Sequence, residues 1–218
     1  MEGNVNCILE EYKRFEENAN MIASYLNEEG VVFYVSGLIG NWASDSRQAG
    51  FVETIADYPN IEFDWGPSDF DGEKAATLVE GWLASNDKID AIVFVGETSG
   101  MAGLEVIKNA GRLEEIIVIT DGGEDVGINA VKSGDTLADA LISPDLFWWW
   151  IIQSGYKTMM GAEGNLYMPT PHILLPETYD VIEQNGMVGI EDYDWITPDE
   201  AFDRIAQAED FFGIDTVK

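Results

Sequence analysis

Two runs, IDAIVFVG (89–96) and EIIVITDG (115–122), are apolar at nearly every position and show no alternation between a wet and a dry side. A strand of that kind must be covered on both faces, as in a parallel sheet lying between two layers of helices. Further runs rich in β-branched or aromatic residues recur at VVFYVSG (31–37), IEFDW (61–65), TLADALIS (136–143) and HILLP (172–176). Helical patterns fall between them at about 10–28, 45–58, 72–86, 99–111, 124–133 and 144–161. Asp45 or Ser44 precedes the second of these and Pro59 follows it, while Ser99 opens the fourth and Gly111 closes it. This alternation predicts an α/β fold, a three-layer α/β/α sandwich with a mostly parallel sheet. A chain of 218 residues can bury ~70% of its unfolded surface in one core. From about Thr178 the pattern changes: acidic residues face only Arg204 and Lys218, and TPDEAFDRIAQAEDFF predicts a capped helix over 198–212. The expected division is an α/β lobe over 1–180 and an acidic appendage with a helix over 181–218.

Charge removes whole classes of partner. Eleven Lys+Arg stand against 41 Asp+Glu, a formal net charge of −30, and no basic cluster exists anywhere. Phosphate backbones and anionic lipid are repelled, so nucleic acid is not expected as a partner. No apolar run approaches the ~20 residues of a membrane span, and the N-terminal stretch lacks the pattern of an export signal. The acidity itself suits either a salty medium, where self-repulsion is screened, or an extracellular protein of an organism with an acidic proteome. Cys7 is the sole cysteine and reads as a small buried thiol; His172, the sole histidine, lies in a Pro-bounded segment with no G-x-S-x-G to serve. GLIG (37–40) lacks the third glycine of a dinucleotide loop, and there is no Walker loop. An acidic Mg²⁺ pocket from Glu97 and Asp121 is physically open, yet no lysine follows a late strand and no D-x-D motif follows the first. An enzyme is the minority reading, and no catalytic residue, cofactor or metal is singled out.

In an open parallel sheet the ligand lies beyond the carboxyl ends of the strands. The residues there are the loop 37–46, Ser68 to Phe70, Gly96 to Thr98, Asp121 and Gly122, and Ser143 to Asp145. They offer carboxylates as acceptors for hydroxyl or amine donors, and Trp42 and Phe70 as stacking faces. Asp45 and Asp145 serve equally well as helix caps. Glu97 and Asp121, each following a long apolar strand, are the stronger candidates for ligand contact. The run Phe147, Trp148, Trp149, Trp150, Ile151, Ile152 is apolar all round a helix, which signals burial or an interface.

Several motifs in order resemble a known family: Gly37, Gly40, Ser46, Arg47, Gly50 and Phe51, then YPNIEF, SDFDGEKA (68–75), IDAIVFVGETSGMAGLEVIKNAG (89–111), IIVITDGGEDVGINAVKSGD (116–135) and TPHILLPETYD (170–180). Together they are similar to the C-terminal lobe of periplasmic sugar-binding proteins of the ribose-binding type, over about residues 10–180. The resemblance implies two α/β lobes joined by a hinge, closing on a small polar ligand that is delivered to an ABC transporter permease. It implies a periplasmic or cell-surface location, a missing N-terminal lobe, and a hinge crossing at PHILLP. The same lobe occurs as the ligand-sensing part of LacI-type regulators, which keeps a sensory role open as a second reading.

By the same resemblance Asp121 corresponds to the aspartate that accepts hydroxyl hydrogen bonds and Phe70 to the stacking aromatic. Arg47 corresponds to a structural arginine. The family's binding arginine, asparagine and glutamine fall instead at Asp45, Glu97 and Ile142. Three carboxylates, Asp45, Glu97 and Asp121, facing one cleft would repel one another unless a cation, an amine or a dense set of hydroxyl donors sat between them; the alternative is that these side chains point at helix ends or solvent and the ligand is an ordinary sugar. The expectation is a sugar or a cationic polar solute, with an amino-sugar, a polyamine-like ligand or a metal-bridged sugar answering the charge.

Overall fold

The both-face apolar runs become the middle of one sheet. A computed structural model describes residues 3–186 and 194–212, with backbone alone for 209–212. In chain order it contains β1 (Val5–Ile8), α1 (Glu11–Tyr25), β2 (Glu29–Ser36), α2 (Trp42–Ile55), β3 (Asn60–Pro67), α3 (Gly72–Ser85), β4 (Ala91–Phe94), α4 (Glu97–Asn109) and β5 (Ile117–Ile119). There follow α5 (Asp125–Ser133), β6 (Ala138–Ala140), α6 (Pro144–Met159), β7 (Gly164–Tyr167), β8 (His172–Leu174), α7 (Pro176–Gln184), β9 (Trp195–Ile196) and α8 (Pro198–Phe212). The sheet order is β3-β2-β4-β5-β6-β8-β9, parallel throughout except for the β6–β8 pair. β1 and β7 form a separate parallel ribbon.

Alternate residues of each central strand enter different cores. Tyr34, Val93 and Val95 face α1 and α2, where they meet Phe15, Ile22, Phe51 and Ile55. Phe33, Ile92 and Phe94 face the other way, into a cluster with Val79 and Trp82 of α3 and Leu104 and Ile107 of α4. That division is the three-layer sandwich the sequence predicts. The period-2 alternation is invisible in the sequence because both destinations are apolar.

Local chemistry adjusts several expected boundaries. α2 begins at Trp42, earlier than Ser44 or Asp45 would place it, because the Asn41 side chain accepts hydrogen bonds from the N–H groups of Ala43 and Ser44. Within PHILLP, His172–Leu174 is an internal strand of the sheet, antiparallel to β6. Pro176 then opens α7, which runs across residue 180, since proline tolerates the first turn of a helix. Beyond it, β9 extends the sheet from β8, and Ala201 and Ile205 of α8 join Ile128, Val131, Leu141 and Ile173 in a third buried cluster. Residues 187–193 and 213–218 of the expected appendage lie outside the described residues. Cys7 is half-buried on β1, and desolvation raises its thiol pKa. The aromatic helix α6 keeps Trp148 58% and Tyr156 61% exposed, so burial accounts for only part of it. No described helix is long and apolar enough to cross a membrane.

Candidate functional site

The carboxyl ends of β4 and β5 open into a cavity of about 210 Å³ whose walls include Phe70, Glu97, Thr98, Asp121, Glu124 and Ile142. Four of the residues singled out from the sequence, Phe70, Glu97, Asp121 and Ile142, therefore converge on one space. Trp42 and Asp45 are not among its lining residues. Trp42 is 72% exposed, and the Asp45 carboxylate accepts from the N–H of Gly40 at 3.0 Å, closing its own loop.

Phe70 is held in place by backbone. Asp69 and Phe70 both adopt left-handed conformations, with φ of 55° and 61°, which non-glycine residues rarely take up. The turn that forces them is tied down by Ser68, whose N–H and hydroxyl both donate to the Ser36 carbonyl, at 2.8 and 2.9 Å. Its hydroxyl also lies 3.0 Å from that of Ser99. The phenyl ring then rests on Gly37, where any Cβ would collide with it, and stands 3.9 Å from the position of a Cβ on Gly96. Strain of about 1–3 kcal/mol per such residue persists only where surrounding contacts overdetermine it, and here they hold the phenyl ring at the cavity wall.

Asp121 is fully engaged inside the protein. Its Oδ1 accepts from Arg14 Nε at 2.6 Å, and its Oδ2 from Arg14 Nη2 at 3.2 Å and Arg47 Nη1 at 3.0 Å. Glu11 closes the ring, accepting from Arg14 Nη2 at 2.5 Å and from Arg47 Nε at 2.7 Å. Two cations and two anions cancel, and the Phe15 ring lies beneath both guanidinium groups. Burial works against the Arg14 charge, but the Asp121 and Glu11 carboxylates outweigh it and hold its pKa above the usual value.

Glu97, the first residue of α4, reaches across to the start of α5. Its Oε2 accepts from the N–H of Glu124 at 3.0 Å and its Oε1 from that of Gly127 at 2.5 Å. Those N–H groups have no partner within their own helix, and the carboxylate supplies one. Desolvation pushes the Glu97 pKa up to about 7 against the opposing pull of these two hydrogen bonds. Behind it Asp139, in the middle of β6, is completely buried, and burial raises its carboxyl well above the ordinary range.

Most of the repulsion expected among Asp45, Glu97 and Asp121 is therefore relieved. Asp121 is neutralised by two arginines, Glu97 caps a helix, and Asp45 turns into its own loop. Sequence reasoning missed Glu11, Arg14 and Asp139. The signal for the first two was present: Glu11, Arg14 and Asn18 recur at helical spacing on the same face of α1 as Phe15 and Ile22, and polar groups on a core-facing stripe must find partners inside.

Comparison with known proteins places this geometry. The model of the periplasmic binding protein domain matches residues 16–163. The xylitol-binding protein of Mycolicibacterium smegmatis is 31% identical over 127 residues, covering 57% of this chain and 36% of that protein. The ribose import binding protein of Haemophilus influenzae is 28% identical over 127 residues, 58% of this chain and 43% of that protein. The chain thus spans less than half the length of these relatives. Among solved structures, an ABC transporter periplasmic solute-binding protein from Actinobacillus succinogenes with bound D-allose superposes with a TM-score of 0.71. Its sequence identity is 16%, over 79% of this chain and 62% of that one. A myo-inositol-bound ABC transporter solute-binding protein from Bacillus halodurans gives 0.64 at 22% identity, over 84% and 62%. A lobe with a parallel sheet, a cavity beyond its strand ends and a family match over most of its length leads to one assignment: this chain belongs to the periplasmic binding protein domain family.

Proposed function

We propose that the chain supplies one wall of a two-lobed solute-binding protein of an ABC importer, acting in the periplasm or at the cell surface, and that its ligand is a neutral polyhydroxylated molecule, a sugar or sugar alcohol. The observation that carries the ligand class is the cancelled charge at Asp121, whose carboxylate is held by Arg14 and Arg47 and so offers a cation no uncompensated charge. Phe70 offers an apolar face to a ring or carbon chain, Thr98 and the Glu97 carboxyl offer hydrogen-bonding groups, and Ile142 stands where a polar group would widen the choice of hydroxyl patterns. The names of the relatives, with xylitol, ribose, D-allose and myo-inositol among them, support the same class. A second lobe would close the other side, which accords with the greater length of those relatives, and without it binding is expected to be weak.

Isothermal titration with xylitol, ribose, allose and myo-inositol, set beside glucosamine and putrescine, tests the reading. Binding of at least one neutral polyol, weakened about tenfold or more by Phe70→Ala, is expected. Tighter binding of the amines than of every polyol would overturn it.

A further inference from the structure

We propose that Asp139 is a positioning residue for the cavity: it shares one proton with Glu97, and that proton latches the Gly122–Gly127 segment in the form that lines the site. The consequence for ligand affinity rests on the function proposed above, whereas the latch itself can be tested with no ligand present.

Two carboxylates approach the segment from different elements, Glu97 from α4 and Asp139 from β6. Asp139 Oδ2 accepts from the N–H of Gly123 at 2.9 Å, and its Oδ1 from the Thr120 hydroxyl at 3.1 Å. Glu97 takes two more N–H groups of the segment, those of Glu124 and Gly127. The two side chains also converge on one point, since a Cβ on Gly127 would collide with both Glu97 Oε1 and Asp139 Oδ2, and one on Gly122 would collide with Glu97 Oε2. Glycine at both positions leaves room for the carboxylates to close on the chain, and Gly123 takes the left-handed φ of 67° that the turn requires.

No cation resolves this meeting. Among the described residues no lysine, arginine or histidine pairs with Glu97 or Asp139. The guanidinium groups of Arg14 and Arg47 are held by Asp121 and Glu11. The other titratable groups facing the pair, Asp121 at the end of β5 and Glu124 at the start of α5, are acids and add to the repulsion. The described residues contain no cluster of ligands able to hold a metal ion. Two carboxylates meeting in a dry site do not both ionise, and a proton between them is the remaining answer. The raised pKa of each, due first to burial and then in Asp139 to Glu97 itself, agrees with that geometry.

While the pair keeps its proton, its oxygens can grip three N–H groups of the segment, those of Gly123, Glu124 and Gly127. As pH rises past neutrality that proton leaves, two anions face each other, and the segment is pushed from the cavity wall. Binding of a neutral ligand would weaken in the same range.

The test is amide hydrogen exchange of Gly123, Glu124 and Gly127 in the full chain, without ligand, from pH 6 to pH 9 and corrected for intrinsic rates. Protection of these amides should fall about tenfold or more while that of β2 holds, and Glu97→Gln and Asp139→Asn should each abolish the dependence. Flat protection in the parent protein, or a pH slope that survives both substitutions, would overturn the proposal. Carboxyl carbon-13 spectra of the parent protein serve if a variant does not fold: a coupled pair titrating near or above neutrality supports the shared proton, and independent titration of both groups below about pH 5 refutes it. Failure to bind any polyol would count against the proposed function while leaving the exchange result intact.

Discussion

Arg14 Nε donates to Asp121 Oδ1 at 2.6 Å across 107 residues of sequence, and neither side chain touches solvent. A buried ion pair of this kind tolerates loss of one partner poorly, because the other charge is then left without compensation. Arg14→Met is expected to cost about 3–5 kcal/mol in urea unfolding. Asp121→Asn also destabilises, and the double variant should recover part of the loss, with a coupling of about 0.5–3 kcal/mol. Strict additivity of the two single changes would show that the pair does not act as a unit.

The contact between Gly37 and Phe70 gives a second prediction. A methyl group at position 37 occupies the space of the phenyl ring, so Gly37→Ala must displace the ring or the strained turn at Asp69–Phe70. Polyol affinity should fall about as far as in Phe70→Ala, although position 37 contributes no side chain to the cavity. Phe70→Gly should unfold at higher urea than Phe70→Ala by about 0.5–1 kcal/mol, since glycine accepts the left-handed backbone without penalty. Equal stability of the two variants would mean that the φ of 61° carries no strain.

What the sequence revealed and concealed follows from the range of the interactions. The apolar runs 89–96 and 115–122 made the covered sheet legible, and Phe70 and Glu97 were legible because a parallel sheet places its strand ends together. The fates of the carboxylates were not. Asp121 is answered by Arg14 from a distant helix, and Glu97 by backbone N–H groups that no side-chain letter reports. α7 escaped notice because Pro176 opens a helix just after a strand ends, and β7 because the largely exposed GNLY has no apolar pattern to mark it.

Stability against pH should show two opposing slopes. His172 is fully buried beside Asn18 Oδ1, at 2.9 Å from its Nε2, and burial lowers its pKa to about 3. The unfolded chain then binds a proton that the folded chain refuses, so this contribution is complete above about pH 6.5 and is lost as pH falls toward 3. Glu17 behaves oppositely. Burial raises its pKa to about 7, so its contribution is complete below about pH 4.5 and is lost as pH rises through 7. Each group limits the slope to about 1.4 kcal/mol per pH unit in its own window. His172→Gln should flatten the acid limb of a urea-denaturation series and Glu17→Gln the limb from pH 4.5 to 7. Parallel curves for parent and variant would remove that group from the account.

Salt should separate the surface charge from the buried network. A net charge of −30 opposes compaction, and raising NaCl from 0.1 to 1 M shortens the screening length from ~10 to ~3 Å. The melting temperature of the parent protein is therefore expected to rise with salt. The Glu11–Arg14–Arg47–Asp121 cluster is shielded from mobile ions by its burial. The stability difference between the parent and Arg14→Met should accordingly stay constant within about 0.5 kcal/mol over the same salt range. If that difference shrinks with salt, ions and water reach the cluster and the Asp121 carboxylate is available to a ligand after all. A constant difference would instead support the view that its charge is answered inside the fold, which is the physical ground for expecting a neutral solute.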